Sequence, residues 1–228
     1  MKKFAFYVSN NGTRLKKFLR VYSNINLIKQ IEFVLIDNCN NDELRNICND
    51  LGIIYYEVNL KEYENKNKYI SSFFLEYLNK HNVDNAFIFA DRILLGDLLV
   101  EYKNRLINFH PAILPSHKGL YAIDQALKSK TFLLGNSAHI VTDELDGGRV
   151  IMQNIFPSIN FKNYDEVLDK QLIMILQLMI WIEKDKLIVD KNNNVYIKDA
   201  NYEVKEFIPN LDFEMISQFH VQKNNNGI

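Results

Sequence analysis

Two polar side chains, Asn108 and His110, follow directly on a short apolar run near the middle of the chain. The run Leu106–Ile107 is typical of the end of a buried strand, and Pro111 stops it. Because side chains alternate between the two faces of a strand, Asn108 and His110 point to the same side. An amide can donate to a developing oxyanion, and an imidazole can hold or move a proton near neutral pH. The pair therefore suits acyl-group chemistry.

A flexible acidic loop, Asp143-Glu-Leu-Asp-Gly-Gly148, lies further along the chain and could supply a carboxylate partner for the histidine. The simpler interpretation of an isolated Asn-x-His is a strand end with an amide cap and a satisfied histidine. His139, which precedes the acidic loop, is expected to be a core histidine or to act through another residue.

The segment Asn10-Asn-Gly-Thr-Arg14 lies between a predicted strand and a predicted helix. Asn10, Asn11, Gly12, Thr13 and Arg14 would form a turn at the helix start, where free backbone amides can bind an anion. Every unit of strand and helix has such a turn, so this segment alone is a weak indication of a phosphate site.

Apolar runs with strand character alternate with segments of helical spacing through the first half of the chain. Predicted strands cover residues 4–8, 31–36, 53–56 and 86–90. Predicted helices follow residue 13, run from an Asp42 N-cap to about residue 51, and cover residues 66–80 and 95–102. This alternation predicts an α/β fold with a doubly wound, mostly parallel, Rossmann-like sheet, in which ligands gather at the carboxyl ends of strands.

The second half adds a short helix at 120–127, two strands at 133–142 and 150–156, and a long helix at 164–184. The short connection between the two strands predicts an antiparallel edge. The long helix is apolar on more than one side, which favours burial of its second face in a partner subunit. Residues 186–198 read as a β-hairpin. We expect a catalytic domain at 1–185 and a C-terminal hairpin extension and tail at 186–228.

The composition is that of a soluble globular protein. The 228 residues carry a net charge of −1, which does not favour nucleic acid as the main partner. Cys39 and Cys48 lack metal-ligand spacing, and the histidines are scattered, so no metal site is expected. Without a signal peptide or an apolar run long enough to span a membrane, a cytoplasmic protein is expected.

Two ordered motifs resemble the N10-formyltetrahydrofolate-dependent formyltransferase family. The first is Asn108-Phe-His-Pro-Ala-Ile-Leu-Pro-Ser-His-Lys-Gly119, and the second is the segment His139-Ile-Val-Thr-Asp-Glu-Leu-Asp-Gly-Gly148. The family pattern reads Asn-x-His-Pro-Ser-x-Leu-Pro-x-x-x-Gly, followed by His-x-Val-x-x-x-x-Asp-x-Gly. Ala112 replaces the serine and is the departure from this pattern.

The resemblance implies roles for individual residues. Asn108 would donate to the oxyanion, His110 would stabilise charge and pass protons, and Asp146 would orient the histidine. The segment Asp91-Arg-Ile-Leu94 resembles the family's Met-Arg-Ile-Leu, so Arg92, Ile93 and Leu94 would enclose the folate pterin. Val141, Thr142, Asp143 and Glu144 would line the same pocket. The co-substrate would be N10-formyltetrahydrofolate.

Three hypotheses concern the amine acceptor: two name a different acceptor, and the third has no turnover. Purine-pathway glycinamide ribonucleotide transformylases carry Gly-Asn-Gly-Ser-Asn where this chain has residues 10–14, so the first glycine has become Asn10 and the last asparagine Arg14. We favour a nucleotide-linked amino deoxysugar, such as dTDP-4-amino-4,6-dideoxyglucose, used for surface polysaccharide synthesis. Glycinamide ribonucleotide is the alternative, and an inactive folate-binding module is the third hypothesis. The methionyl-tRNA enzyme is disfavoured by the short, neutral chain.

Two further residues are candidate substrate contacts. Lys118 could bind a substrate phosphate, and Tyr202 could stack on a nucleotide base. Short sugar N-formyltransferases use a hairpin-like C-terminal element in dimer contacts, so the resemblance also implies a homodimer formed through the C-terminal region.

Overall fold

The computed structural model describes residues 1–220, which form ten strands and seven α-helices. The strands are β1 (Phe4–Val8), β2 (Ile31–Ile36), β3 (Ile54–Glu57), β4 (Asn85–Phe89), β5 (Leu106–His110), β6 (Leu133–Ile140), β7 (Val150–Pro157), β8 (Leu187–Val189), β9 (Val195–Ile197) and β10 (Phe207–Ile208). The helices are α1 (Thr13–Val21), α2 (Asp42–Asp50), α3 (Lys66–Lys80), α4 (Asp97–Glu101), α5 (Ala122–Lys128), α6 (Tyr164–Glu183) and α7 (Phe213–Gln218).

Eight strands form one sheet in the order β10-β7-β6-β5-β4-β1-β2-β3. Strands β1 to β5 are parallel, whereas β6, β7 and β10 join by antiparallel pairing. The predicted α/β class, the mostly parallel sheet and the antiparallel edge are confirmed, as is the β8–β9 hairpin. From β1 the chain first adds β2 and β3 on one side, then β4 and β5 on the other. The carboxyl ends of β1, β4 and β5 therefore meet at a topological switch point.

The central strands are apolar along their whole length because helices cover both faces of the sheet. Phe4, Phe6 and Val8 of β1 pack with α1 and α6, whereas Ala5 and Tyr7 face α3 and α4. All five residues of β1 are inaccessible to solvent. Burial on both faces holds the switch point rigidly.

Helix α6 begins at an Asn163 cap, whose side chain accepts a hydrogen bond from the Glu166 amide at 2.9 Å. The sequence indicated that a partner subunit would cover part of its wide apolar surface, but the chain itself covers it. Met174, Leu178 and Trp181 are buried within this chain, because α6 packs against the sheet, α1 and α7. The prediction that a partner subunit buries the second face of this helix is therefore wrong.

Local details differ from the predicted elements at the ends. Asn41, rather than Asp42, caps α2, because its side chain accepts the Leu44 amide at 3.2 Å. The sequence did not predict β10 or α7. Strand β10 pairs with Asn154 and Gln153 of β7, so part of the C-terminal extension belongs to the main sheet. Within residues 1–220, no helix is long and apolar enough to cross a membrane.

The β6–β7 pairing depends on Gly135. A Cβ atom there would lie 2.0 Å from the backbone oxygen of Asn154 and 3.0 Å from Cγ1 of Ile113. We expect Gly135→Ala to force the strands apart and lower the free energy of unfolding by about 3 kcal/mol, the upper range for overpacking. Denaturant unfolding measures this change.

Gly52→Ala is the control, since Gly52 has a φ of +71° and its Cβ would meet nothing within 4 Å. It should cost about 1 kcal/mol, from backbone strain alone. An equal or smaller loss in Gly135→Ala would contradict the close-approach explanation.

Candidate active site

A cavity of about 410 Å³ opens at the carboxyl ends of β1, β4 and β5. It lies at the switch point of the sheet, where α/β folds bind ligands. The catalytic motifs, the predicted folate wall and the 10–14 loop each contribute candidate residues to its lining. Those that line it are Arg14, Arg92, Ile93, Leu94, Asn108, His110, Val141, Thr142, Glu144 and Asp146.

Asn108 and His110 project from the same face of β5 into this cavity, as alternation along a strand predicts. His110 is buried, and its Nε2 lies 2.7 Å from the carbonyl oxygen of His117. Its other ring nitrogen, Nδ1, lies 3.2 Å from Oδ2 of Asp146. Both ring nitrogens therefore face hydrogen-bond acceptors, an arrangement that favours the protonated imidazole.

Asp146 is the centre of the polar cluster. Its Oδ2 also accepts the Gly119 amide at 2.9 Å, and its Oδ1 lies 3.4 Å from Nε2 of His139. The residue has a φ of 48°, and the neighbouring Gly148 lets the loop approach β6. A Cβ on Gly148 would lie 1.7 Å from the Ile140 carbonyl oxygen. The turn thus holds a carboxylate between two histidines.

The pKa values of this cluster follow from burial and charge. Burial raises the pKa of Asp146, but the His139 contact, the Gly119 amide and the charge of His110 together bring it below its ordinary value. Burial lowers the pKa of His110, and the His117 carbonyl and Asp146 oppose that shift only in part. Asp146 is consequently ionised at neutral pH, while His110 releases its proton more readily than an exposed histidine.

His139 has a larger part in the site than its sequence context indicated. Its Nδ1 lies 3.0 Å from the Ile140 carbonyl oxygen, and its Nε2 lies 3.2 Å from Nδ2 of Asn108. When protonated, Nε2 donates to Asp146; when unprotonated, it accepts from the Asn108 amide. The expected role, acting through another residue, agrees with these contacts. The strand that carries His139 was predicted, but its pairing with Asn108 across the strands was not.

The predicted folate wall forms one side of the cavity. Arg92 lines the cavity and donates from Nε to the buried Asp37 carboxylate at 2.9 Å, which fixes the loop after β4. Ile93, Leu94 and Val141 present apolar surface. Of the other residues predicted to line this pocket, Thr142 and Glu144 do so and Asp143 does not.

The residue 10–14 loop also borders the cavity, and Arg14 is the member that lines it. Asn10, Asn11, Gly12 and Thr13 form the turn before α1, with Gly12 at its N-cap in the left-handed region. Asp91 also lines the cavity and accepts from the Asn10 amide at 2.7 Å. The sequence did not single out Asp91 as a site residue, although a charge at the end of a buried central strand was a usable signal.

Two candidate substrate residues lie elsewhere. Lys118 donates to Glu144 at 2.7 Å and so joins the two loops that border the cavity. Tyr202 lies in the C-terminal extension, where its hydroxyl accepts the Ile197 amide at 2.8 Å, and it does not line the cavity. In the described part of the chain, no three histidine, cysteine or acidic side chains cluster as metal ligands.

The charge of Asp146 is one of the influences that raise the pKa of His110. We expect Asp146→Asn to lower the pKa of His110 further, so that the imidazole stays neutral to a lower pH. An NMR titration of the His110 ring protons measures this change. Glu144→Gln removes a carboxylate from the same loop without contact to His110 and should leave its pKa unchanged. A pKa that rises or does not move in Asp146→Asn would contradict the ion-pair geometry.

Known proteins share both the sequence pattern and the fold. The profile of the formyl transferase family matches residues 2–172. The phosphoribosylglycinamide formyltransferase of Escherichia coli is 42% identical over 76 residues, which are 33% of this chain and 36% of that protein. The formyltetrahydrofolate deformylase of Bacillus subtilis is 25% identical over 202 residues, covering 86% of this chain and 65% of that relative. The matched part of the chain thus spans about a third of the first relative and under two thirds of the second.

Solved structures agree in fold. Glycinamide ribonucleotide transformylase 1 from Symbiobacterium toebii superimposes with a TM-score of 0.76 at 22% identity, over 87% of this chain and 95% of that one. The family profile covers the whole region from β1 into α6, including both motifs and every residue that lines the cavity. The chain therefore belongs to the formyl transferase family.

Proposed function

We propose that this protein transfers a formyl group from N10-formyltetrahydrofolate to a primary amine. The observation that carries the proposal is the cluster of Asn108, His110 and Asp146, joined by His139, at the floor of one cavity. An amide donor, an imidazole and an orienting carboxylate are the groups that acyl transfer to an amine requires. The contacts among these groups favour an active enzyme over a folate-binding module without activity.

The cavity wall fits a flat heteroaromatic ring such as a pterin. Leu94 and Val141 offer apolar surface from two separate elements. Within residues 1–220, the backbone amides of Arg92, Ile93 and Leu94 donate to no protein acceptor. Unused backbone donors beside an apolar wall are the features that recognise the edge and faces of such a ring. When bound, formyl-folate supplies the activated one-carbon unit.

The side chains on β5 and in the acidic loop divide the chemical work. Asn108 has two amide N–H groups, so one can bond His139 while the other donates to the oxygen that gains negative charge. His110, on the same face of β5, stabilises that charge when it is protonated and gives up its proton readily, because burial lowers its pKa. Asp146 fixes the ring of His110 and favours its protonated form. The amine forms a bond to the formyl carbon as the bond from that carbon to the folate nitrogen breaks, and this pair can relay the proton that the amine loses to the departing nitrogen.

For the acceptor we propose a nucleotide-linked amino deoxysugar, such as a dTDP-linked 4-amino sugar used for surface polysaccharides. The altered 10–14 loop supports this choice, because Arg14 and Asn10 replace the residues of the purine enzyme's phosphate loop. Glycinamide ribonucleotide is the second candidate, and it is favoured by the 42% identity to the Escherichia coli enzyme.

We also propose a homodimer formed through the C-terminal region. Val204 and Phe213 support it, since both are apolar and largely exposed, at 86% and 69% of their surfaces. Patches of exposed apolar residues are typical of subunit interfaces.

Removal of the oxyanion donor should impair turnover without unfolding the chain. We expect Asn108→Ala to lower kcat by about 100- to 1000-fold, the usual cost of one lost oxyanion donor. His110→Ala and Asp146→Ala should be similarly impaired. Formation of tetrahydrofolate from formyl-folate measures the rate, and near-normal turnover of His110→Ala would refute the assignment. Asn79→Ala, which removes an exposed amide on α3, is the matched control and should retain full activity.

An acceptor panel distinguishes the two candidate amines. We expect the purified protein to formylate a dTDP-linked 4-amino-4,6-dideoxysugar with a kcat/KM at least about tenfold above that for glycinamide ribonucleotide, a preference of about 1.4 kcal/mol. Mass spectrometry of each product detects the added formyl group. Formylation of the ribonucleotide alone would show that the acceptor is glycinamide ribonucleotide and not the nucleotide-linked sugar.

A further inference from the structure

Three departures from the family pattern meet at one place beside the cavity. Asn10 stands where the purine enzyme has a glycine, Arg14 where it has an asparagine, and Asp91 where the family segment has a methionine. The Asn10 amide donates to Oδ2 of Asp91 at 2.7 Å, and Arg14 and Asp91 both line the cavity. Residues from two distant segments of the chain, each different from the family pattern, therefore lie together beside the cavity.

Asn10 is held firmly in this arrangement. It has a φ of 55°, a conformation that asparagine tolerates better than most residues. Its carbonyl oxygen accepts from Asn38 at 2.9 Å, and its side-chain amide also lies 3.3 Å from the Ser9 hydroxyl oxygen. The Ser9 hydroxyl in turn accepts the Asp91 amide at 3.1 Å. These contacts fix a carboxylate at the mouth of the loop where a phosphate would enter.

Arg14 is a cation without a carboxylate partner. Its Nη1 donates to the Phe109 carbonyl at 3.3 Å, and its guanidinium lies 4.9 Å from the centre of the Phe89 ring. Across residues 1–220 it makes no ion pair, and its buried Nε has no hydrogen-bond acceptor. Burial lowers the pKa of this guanidinium to about 10, against the opposing effect of Asp91, so it remains charged at neutral pH.

The position of Arg14 places that charge close to the reacting groups. Phe109, whose carbonyl it binds, lies between Asn108 and His110 on β5. An uncompensated guanidinium in a cavity is stabilised when an anion binds it. A dianion at the same place would also meet the Asp91 carboxylate, which repels it. Asp91 instead favours hydroxyl groups, which donate to a carboxylate.

We propose that Arg14 binds a singly charged, phosphodiester-type anion of the acceptor, and that Asp91, held by Asn10, excludes a phosphate monoester from the 10–14 loop. The inference rests on the proposed function, since it concerns the acceptor of the same reaction. It assigns the choice between a nucleotide-linked sugar and a ribonucleotide monophosphate to these three side chains.

Inorganic phosphate at pH 7.5 is a probe that needs no turnover. We expect the native protein to bind it weakly in calorimetry, and Asp91→Asn to bind it about five- to tenfold more tightly, because a nearby like charge is removed. Adding Arg14→Gln to Asp91→Asn should abolish the gain. Asp97→Asn, which removes an exposed carboxylate at the start of α4 and outside the cavity lining, is the matched control and should leave the affinity unchanged.

The acceptor panel gives the second readout. Arg14→Gln should raise the KM for the nucleotide-linked sugar about tenfold with a smaller change in kcat, and Arg14→Lys should recover part of that loss. An Asp91→Asn variant with unchanged phosphate affinity, or an Arg14→Gln variant with unchanged KM for every acceptor formylated, would overturn the inference. Thermal unfolding checks that each variant folds. A chain that formylates no amine but shows the expected phosphate affinities would refute the proposed function alone.

Discussion

The carboxylate of Asp146 is the interaction on which the site depends. It contacts His110 on β5, His139 on β6 and the backbone amide of Gly119, so one side chain joins two strands and two loops. A buried carboxylate is costly unless such partners satisfy it, and each partner is fixed by the same contact. Asn108 is connected to this carboxylate through His139, whose Nε2 either donates to Asp146 or accepts from the Asn108 amide. These polar groups therefore form a single electrostatic unit.

The sheet supplies the rigidity that this unit requires. Strands β1, β4 and β5 are buried on both faces, and the connections from β1 and β4 leave in opposite directions at the switch point, which leaves room for a cavity. The antiparallel edge has a separate function, because it brings His139 opposite Asn108. Ser137, two residues before His139, accepts the Leu114 amide at 2.9 Å and donates to the Ala112 carbonyl at 2.7 Å. The edge thus also anchors the loop that follows His110.

Much of this arrangement could be predicted from residue types and spacing. Apolar runs separated by helical segments indicate the parallel sheet, and alternation along a strand indicates that Asn108 and His110 share a face. The wrong inference about α6 has a physical reason: an apolar surface on two sides looks the same whether a partner or the chain's own C-terminal segment covers it. Strand β10 has only two residues, too few for a periodicity. Long-range contacts such as His139 with Asp146 depend on strand register, which spacing alone does not specify.

Two parts of the cavity lining differ in the kind of residue that forms them, and this difference has an evolutionary consequence. The part of the lining formed by residues 92–94 and 141–144 includes Leu94 and Val141, which pack with the core, so substitution of these two side chains would disturb the fold. Another part of the lining includes Arg14 and Asp91, with Asp91 held by Asn10; two of these three residues are exposed and none lies in the sheet. On the proposed function, a lineage could exchange one amine acceptor for another through a few loop substitutions at small cost in stability. The lining that packs with the core would be inherited with the fold, while the loop side chains would be free to diversify.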